Sequence, residues 1–202
     1  FREKNLSFNS DGVLIFNPFF KINLNSEIKN INSKILRDLD LEKILKFKEL
    51  IKKFNSKNNI FFESKKFSNN FLDDLNVKTE LIYGRLNYIK NFTISDSMFS
   101  CRGNINLLEE YPVLYFNCNI NSPDIQKLLK KFNIDYKNKN EVIDIILQGN
   151  LNIFNNRINF DLIEINENYK ATKDDLNFFK TSFENILFDE NFLSIFKISK
   201  FK

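Results

Sequence analysis

The run Phe99-Ser100-Cys101-Arg102-Gly103-Asn104-Ile105-Asn106-Leu107 decides how this chain is read. Phe99, Cys101, Gly103, Ile105 and Leu107 fall on one side of an extended backbone. Ser100, Arg102, Asn104 and Asn106 fall on the other. Strict alternation of this kind marks a strand with one wet face. Leu108-Glu109-Glu110-Tyr111-Pro112 then breaks the pattern, and a return strand puts Leu114, Phe116, Cys118 and Ile120 opposite Tyr115, Asn117 and Asn119. The pair reads as an antiparallel hairpin.

Working outward, a second hairpin spans Ile143 to Ile165 and turns at Asn155-Asn156. Ile145, Leu147, Gly149, Leu151 and Ile153 oppose Ile158, Phe160 and Leu162. The phase slips at Leu162-Ile163, so Ile163 and Ile165 fall out of step, and a bulge there would account for it. The two hairpins share a hexad: Gly103-Asn104-Ile105-Asn106-Leu107-Leu108 and Gly149-Asn150-Leu151-Asn152-Ile153-Phe154. A looser copy starts at Gly12, with Gly12 to Phe16, a turn at Asn17-Pro18 and a strand from Phe19 to Leu24. Residues 59–67 and 75–89 add strand-like runs that would extend the same sheet.

Helical periodicity follows each hairpin. Leu41 to Phe54 carries Leu41, Ile44, Leu45, Lys48 and Ile51 on one stripe, widened by Phe47, Leu50 and Phe54. Ser122-Pro123-Asp124 opens a second helix, with Ser122 as N-cap and Pro123 in its first turn. Its face is Ile125, Leu128, Leu129 and Phe132. A third begins near Thr172 with Asp174 and Asp175 in its first turn, where carboxylates suit the helix dipole. Leu176, Phe179, Phe183, Ile186 and Leu187 form its apolar side, and a short helix or turn follows over Phe192–Phe196. The expected fold is α+β: a curved antiparallel sheet of repeated strand-turn-strand-helix units, with amphipathic helices packed on the sheet or capping it. Residues 1–202 read as one fragment of a larger repeat-type protein, with both ends cut from something longer. Its units are 1–57 (hairpin and helix), 58–98 (strands), 99–139 and 140–202 (hairpin and helix each).

Composition narrows function mostly by exclusion. The 202 residues are 43% hydrophobic and 28% charged, as in ordinary folded domains. Phe occurs 24 times, Asn makes up about a sixth of the chain, and Ala171 is the lone alanine. This favours amino acids with AT-rich codons and is read as genomic bias. The net charge of +4 is spread along the chain, which implies a solvated surface and no nucleic-acid partner. No run approaches the ~20 apolar residues that cross a bilayer. With no His, the commonest general base and metal ligand is missing. The four glycines are isolated in strand patterns and build no phosphate loop. The carboxylate pairs Asp73-Asp74, Glu109-Glu110 and Asp174-Asp175 read as solvated. We therefore expect no catalytic residues, no metal site, no cofactor and no enzyme.

Cys101 and Cys118 stand directly opposite in one register of the first hairpin. One pair off, Cys101 faces Ile120 and Cys118 faces Gly103. Both registers place them on the apolar face, where two buried thiols are the favoured reading over a disulfide.

The stretch from Met98 to Phe132 resembles the AsmA-like superfamily of bacterial envelope proteins. Gly103, Pro112, Leu114, Phe116, Asp124, Ile125, Leu128 and Leu129 occupy the positions of its strand, turn, strand and helix pattern. The segment from Gly149 to Ala171 resembles the family's recurring hairpin. The resemblance implies a periplasmic protein anchored in the inner membrane outside this fragment. Its curved sheet would have a hydrophobic groove, serving outer-membrane biogenesis or phospholipid transport. Implied partners are phospholipid or membrane and other envelope proteins. The lipid-facing set would be Phe99, Ile105, Leu107, Leu114, Phe116, Ile120, Leu147, Leu151, Ile153 and Phe160. The alternative is a structural or protein-interaction scaffold in which these residues form a closed core without lipid.

Overall fold

In a computed structural model, the chain is mostly β. The structure describes residues 6–17, 20–31, 48–63, 73–131, 134–137, 140–152, 154–155 and 157–187. Ten strands form one open sheet in sequence order. They are β1 (Leu6–Ile15), β2 (Phe20–Ile31), β3 (Phe54–Glu63), β4 (Asp74–Ile82) and β5 (Arg85–Ile94). Then come β6 (Ser97–Asn106), β7 (Val113–Ser122), β8 (Ile143–Asn152), β9 (Arg157–Ile165) and the two-residue β10 (Tyr169–Lys170). The helices are short: α1 (Lys48–Ile51), α2 (Ile125–Lys131) and α3 (Lys173–Leu187).

The three hairpins read from the sequence are present, as β1–β2, β6–β7 and β8–β9. The intervening runs supply β3, β4 and β5 of the same sheet. The expected all-antiparallel sheet is corrected at one place. β2 and β3 run parallel, with Phe20 paired to Phe54 and Ile28 to Phe62. A parallel neighbour needs a crossover, and residues 32–53 provide the length for it.

The first predicted helix is also shorter at its C-terminal end. Helix α1 stops at Ile51, and Phe54 begins β3 instead of widening a helical stripe. Leu41–Phe47 and Phe192–Phe196 lie outside the described residues. The unit boundaries drawn at 57/58 and 98/99 fall inside β3 and β6, strands hydrogen-bonded on both sides.

Three turns need left-handed backbone, one of them between β9 and β10 at Asn166 (φ 51°) and Glu167 (φ 56°). Tyr83 (φ 47°) and Gly84 (φ 81°) join β4 to β5, and Ser95 (φ 50°) and Asp96 (φ 66°) join β5 to β6. Positive φ at both central residues is the I′ geometry, whose twist matches that of the strands. Gly84 is thus a turn residue, not the strand residue that the sequence pattern made of it.

The bulge in the last hairpin is one residue earlier than the slip in phase. Gly149 pairs with Phe160 and Gln148 with Leu162, so Asp161 is the extra residue. Its effect is to return Ile163 to the side of Phe160 and send Leu162 to the wet face. Ile163 pairs with Leu147 and is 4% exposed.

Three apolar clusters sit on one face of the sheet. Ile51 of α1 closes one over Leu81, Ile105 and Leu107. Ile125 and Leu128 of α2 close another over Ile94, with Phe92, Phe99 and Ile143 around them. Leu176 and Phe179 of α3 lie against Ile158, Phe160 and Ile163. The opposite face carries most of the asparagines of the strands. Ser100 Oγ donates to Asn91 Oδ1 (2.8 Å), Asn159 Nδ2 donates to Asn150 Oδ1 (3.3 Å), and Lys57 pairs with Glu80 (2.6 Å).

Candidate functional site: the apolar face of the sheet

Pairing registers place the candidate residues in rows across the strands. Phe92, Phe99, Ile120, Ile145 and Ile165 form one row. Lys90, Cys101, Cys118, Leu147 and Ile163 form the next, and Tyr88, Gly103, Phe116, Gly149 and Phe160 the third. Leu86, Ile105, Leu114, Leu151 and Ile158 complete the face. Nine of the ten residues named from the sequence therefore belong to this side of the sheet or, for Leu107, to the turn that continues it. Ile153 lies outside the described residues.

Coverage divides this set. Ile105 (3% exposed), Leu107 (7%) and Phe160 (8%) are packed under helices and are core. Phe99, Leu114, Phe116, Ile120, Leu147 and Leu151 are half-buried. The aromatic rings knit the face sideways. Phe92 and Phe99 stack with centroids 4.6 Å apart, and Phe160 takes the edges of Phe116 (6.1 Å) and Phe183 (5.3 Å).

Glycine shapes the third row. A Cβ on Gly103 would stand 1.9 Å from the carbonyl oxygen of Tyr115 and 2.7 Å from the hydroxyl of Tyr88. A Cβ on Gly149 would stand 2.1 Å from the carbonyl of Asn159 and 2.9 Å from the ring of Phe116. Each glycine thus makes room for a neighbouring backbone and for a ring lying over it. The hexads also end alike. Asn106 Oδ1 accepts from the Leu108 amide at 3.2 Å, and Asn152 Oδ1 accepts from the Phe154 amide at 3.2 Å. These Asx turns end β6 and β8 and open the turns that follow.

The expectation of two free thiols is corrected. Cys101 and Cys118 are joined in a disulfide, with Cα atoms 4.0 Å apart. The structure selects the register in which they are directly opposite. Both Cβ atoms then project from the same face of adjacent strands, within bridging reach.

The N-cap of α2 is likewise corrected. Asp124 Oδ1 accepts from the Lys127 amide at 2.8 Å, which makes Asp124 the cap. Ser122 is the last residue of β7, and its hydroxyl bonds to that of Ser97 at 2.8 Å, both fully buried. The carboxylate pairs are distributed along the fold: Asp73-Asp74 at the start of β4, Glu109-Glu110 in the β6–β7 turn, and Asp174-Asp175 at the start of α3. Among the described residues, no cluster of His, Cys, Asp and Glu could hold a metal ion, and no helix is long and apolar enough to cross a membrane.

Two polar residues on this face went unread in the sequence. Tyr88 and Lys90 are in phase with Leu86, Phe92 and Ile94, so alternation along β5 could have found them. Burial holds the Tyr88 phenol above its ordinary pKa and the Lys90 ammonium below its own. The Lys90 Nζ lies 4.6 Å from the centroid of the Phe92 ring.

Fold and site define a class: an open, ten-stranded mixed β-sheet with one wet face and one apolar face that short helices cover in part. Comparison with known protein families, curated proteins and solved structures finds no match.

Proposed function

We propose that this chain is a non-enzymatic segment of a repeat-type bacterial envelope protein of the AsmA-like kind, and that its apolar sheet face shields acyl chains in the periplasm. The observation that carries this reading is the partial cover over a continuous apolar face. Six of the named residues stay half-buried along a sheet that does not close. Acyl chains leaving water for such a face gain about 0.8 kcal/mol per buried CH₂. The matching turns and glycines of the two hexads support a repeated unit. A disulfide suits an oxidising compartment.

Mass spectrometry of organic extracts from the protein purified out of bacterial membranes and periplasm tests the reading. Bound phospholipid is the expected result. Phe116→Asp should abolish it while the sheet stays folded by circular dichroism. Phe116 is the residue of choice because it is half-buried. Unfolding of the variant, or a wild-type protein free of lipid, would instead favour the scaffold reading. The burial of Ile105, Leu107 and Phe160 under helices already favours a core role at those three positions.

A further inference from the structure

Lys90 is out of character with its surroundings. It stands on the apolar face between Val77 of β4 and Cys101 of β6. Among the described residues paired on that face, it is the single charged side chain. Other cations have solvent or a carboxylate: Lys57 pairs with Glu80, Lys127 with Asp96, and Arg102 points to the wet face. Lys90 is half-buried beside the Phe92 ring, with no carboxylate in ion-pair range among the described residues. A cation so placed has lost part of its water and gained, among the described residues, an aromatic ring but no counter-ion, an arrangement that an arriving anion relieves.

The neighbouring side chains give that anion a direction. Toward β4 and β3 the row of Lys90 continues as Val77 and Ile60, and the next row carries a polar group, where Asn58 Nδ2 donates to Ser56 Oγ and Thr79 Oγ1 at 3.2 Å each. Toward β6, β7 and β8 the face is the Cys101–Cys118 bridge, Phe116 and Leu147. We infer that Lys90 is the counter-ion for the phosphate of a bound phospholipid, whose head sits at Lys90 beside the Asn58–Thr79 pair and whose acyl chains run over β6–β8. This rests on the acyl-shielding reading and narrows it, because it places the headgroup on the face itself.

The test uses the full chain, stripped of lipid in detergent and offered matched lipids in micelles. Dioleoylphosphatidylglycerol carries the phosphate, and dioleoylglycerol has the same chains without it. Native mass spectrometry reads the bound fraction. Wild-type protein should prefer the phospholipid about tenfold, as one charge-assisted contact implies. Lys90→Met should lose that preference, keep its binding of dioleoylglycerol and melt no lower than wild type. Lys90→Arg should retain the preference. Equal binding of both lipids by wild type, undiminished phospholipid binding by Lys90→Met, or displacement by millimolar inorganic phosphate would each overturn the role of Lys90 and leave the acyl-shielding reading intact. Binding of neither lipid would overturn both.

Discussion

At the scale of single residues, space and bonding matter more than side-chain chemistry. Gly103 stands where Tyr88 lies over the sheet and the Tyr115 carbonyl comes close. A methyl group there must displace backbone, so Gly103→Ala is expected to cost about 2–3 kcal/mol, measured by the urea midpoint. The Cys101–Cys118 bond closes a loop across a sequence separation of 17. Loop-closure entropy for that length is about 3 kcal/mol, so reduction should lower the unfolding midpoint correspondingly, and Cys118→Ser should be insensitive to reductant. The register of the cysteines was half legible: alternation put both on one face but left two registers open, and only one bonds them. Lys90 was legible in principle from its phase in β5, against the usual preference of a lysine for solvent. The position of the bulge was not legible, since Asp161 and Leu162 differ in the face they take only once Gln148 and Gly149 supply the partners.

At the scale of elements, α2 and α3 are each opened by a capping side chain, Asp124 and Thr172. Thr172 and Asp175 form a reciprocal box at the start of α3: Asp175 Oδ2 accepts from the Thr172 amide (2.8 Å) and hydroxyl (2.7 Å), and Thr172 Oγ1 accepts from the Asp175 amide (3.3 Å). Thr172→Ala should cost about 1 kcal/mol in thermal or chemical denaturation. The Thr172 hydroxyl, then its amide, hold the Asp175 carboxyl below the usual aspartate range. A lowered native value means that the box stabilises α3 above the unfolded aspartate pKa and that this contribution is lost as pH falls through the native one. Amide exchange in the first turn of α3 should accelerate in that acid window, while the β6–β7 amides hold. The Ser122 cap was misread because Ser-Pro-Asp offers two capping side chains, and only the strand ladder shows that Ser122 is still paired, to Ile143.

At the scale of the whole molecule, each strand from β4 to β10 runs antiparallel to the one before it, and β3 lies beside β2, so the order of the sheet is the order of the chain. That much was legible, because alternation and turn residues are local. The direction of β3 was not. Whether a chain doubles back or crosses over depends on residues 32–53, where no turn motif decides. The outer strand β1 and the residue after it leave Val13 (58% exposed), Leu14 (54%) and Phe16 (73%) uncovered, which local patterning could not foresee either.

The parallel seam between β2 and β3 makes the first hairpin an appendage in folding. Strands β3 to β7, and β8 with β9 and β10, can zip up through short connections, and β7 meets β8 first at Ser122 and Ile143; no such near pair starts the β2–β3 ladder, whose closest partners, such as Phe20 and Phe54, all lie across the whole crossover. The seam is then the natural line of parting for partial opening. In pulse-labelled exchange, β1 and β2 should acquire protection after the rest and surrender it first, as a unit.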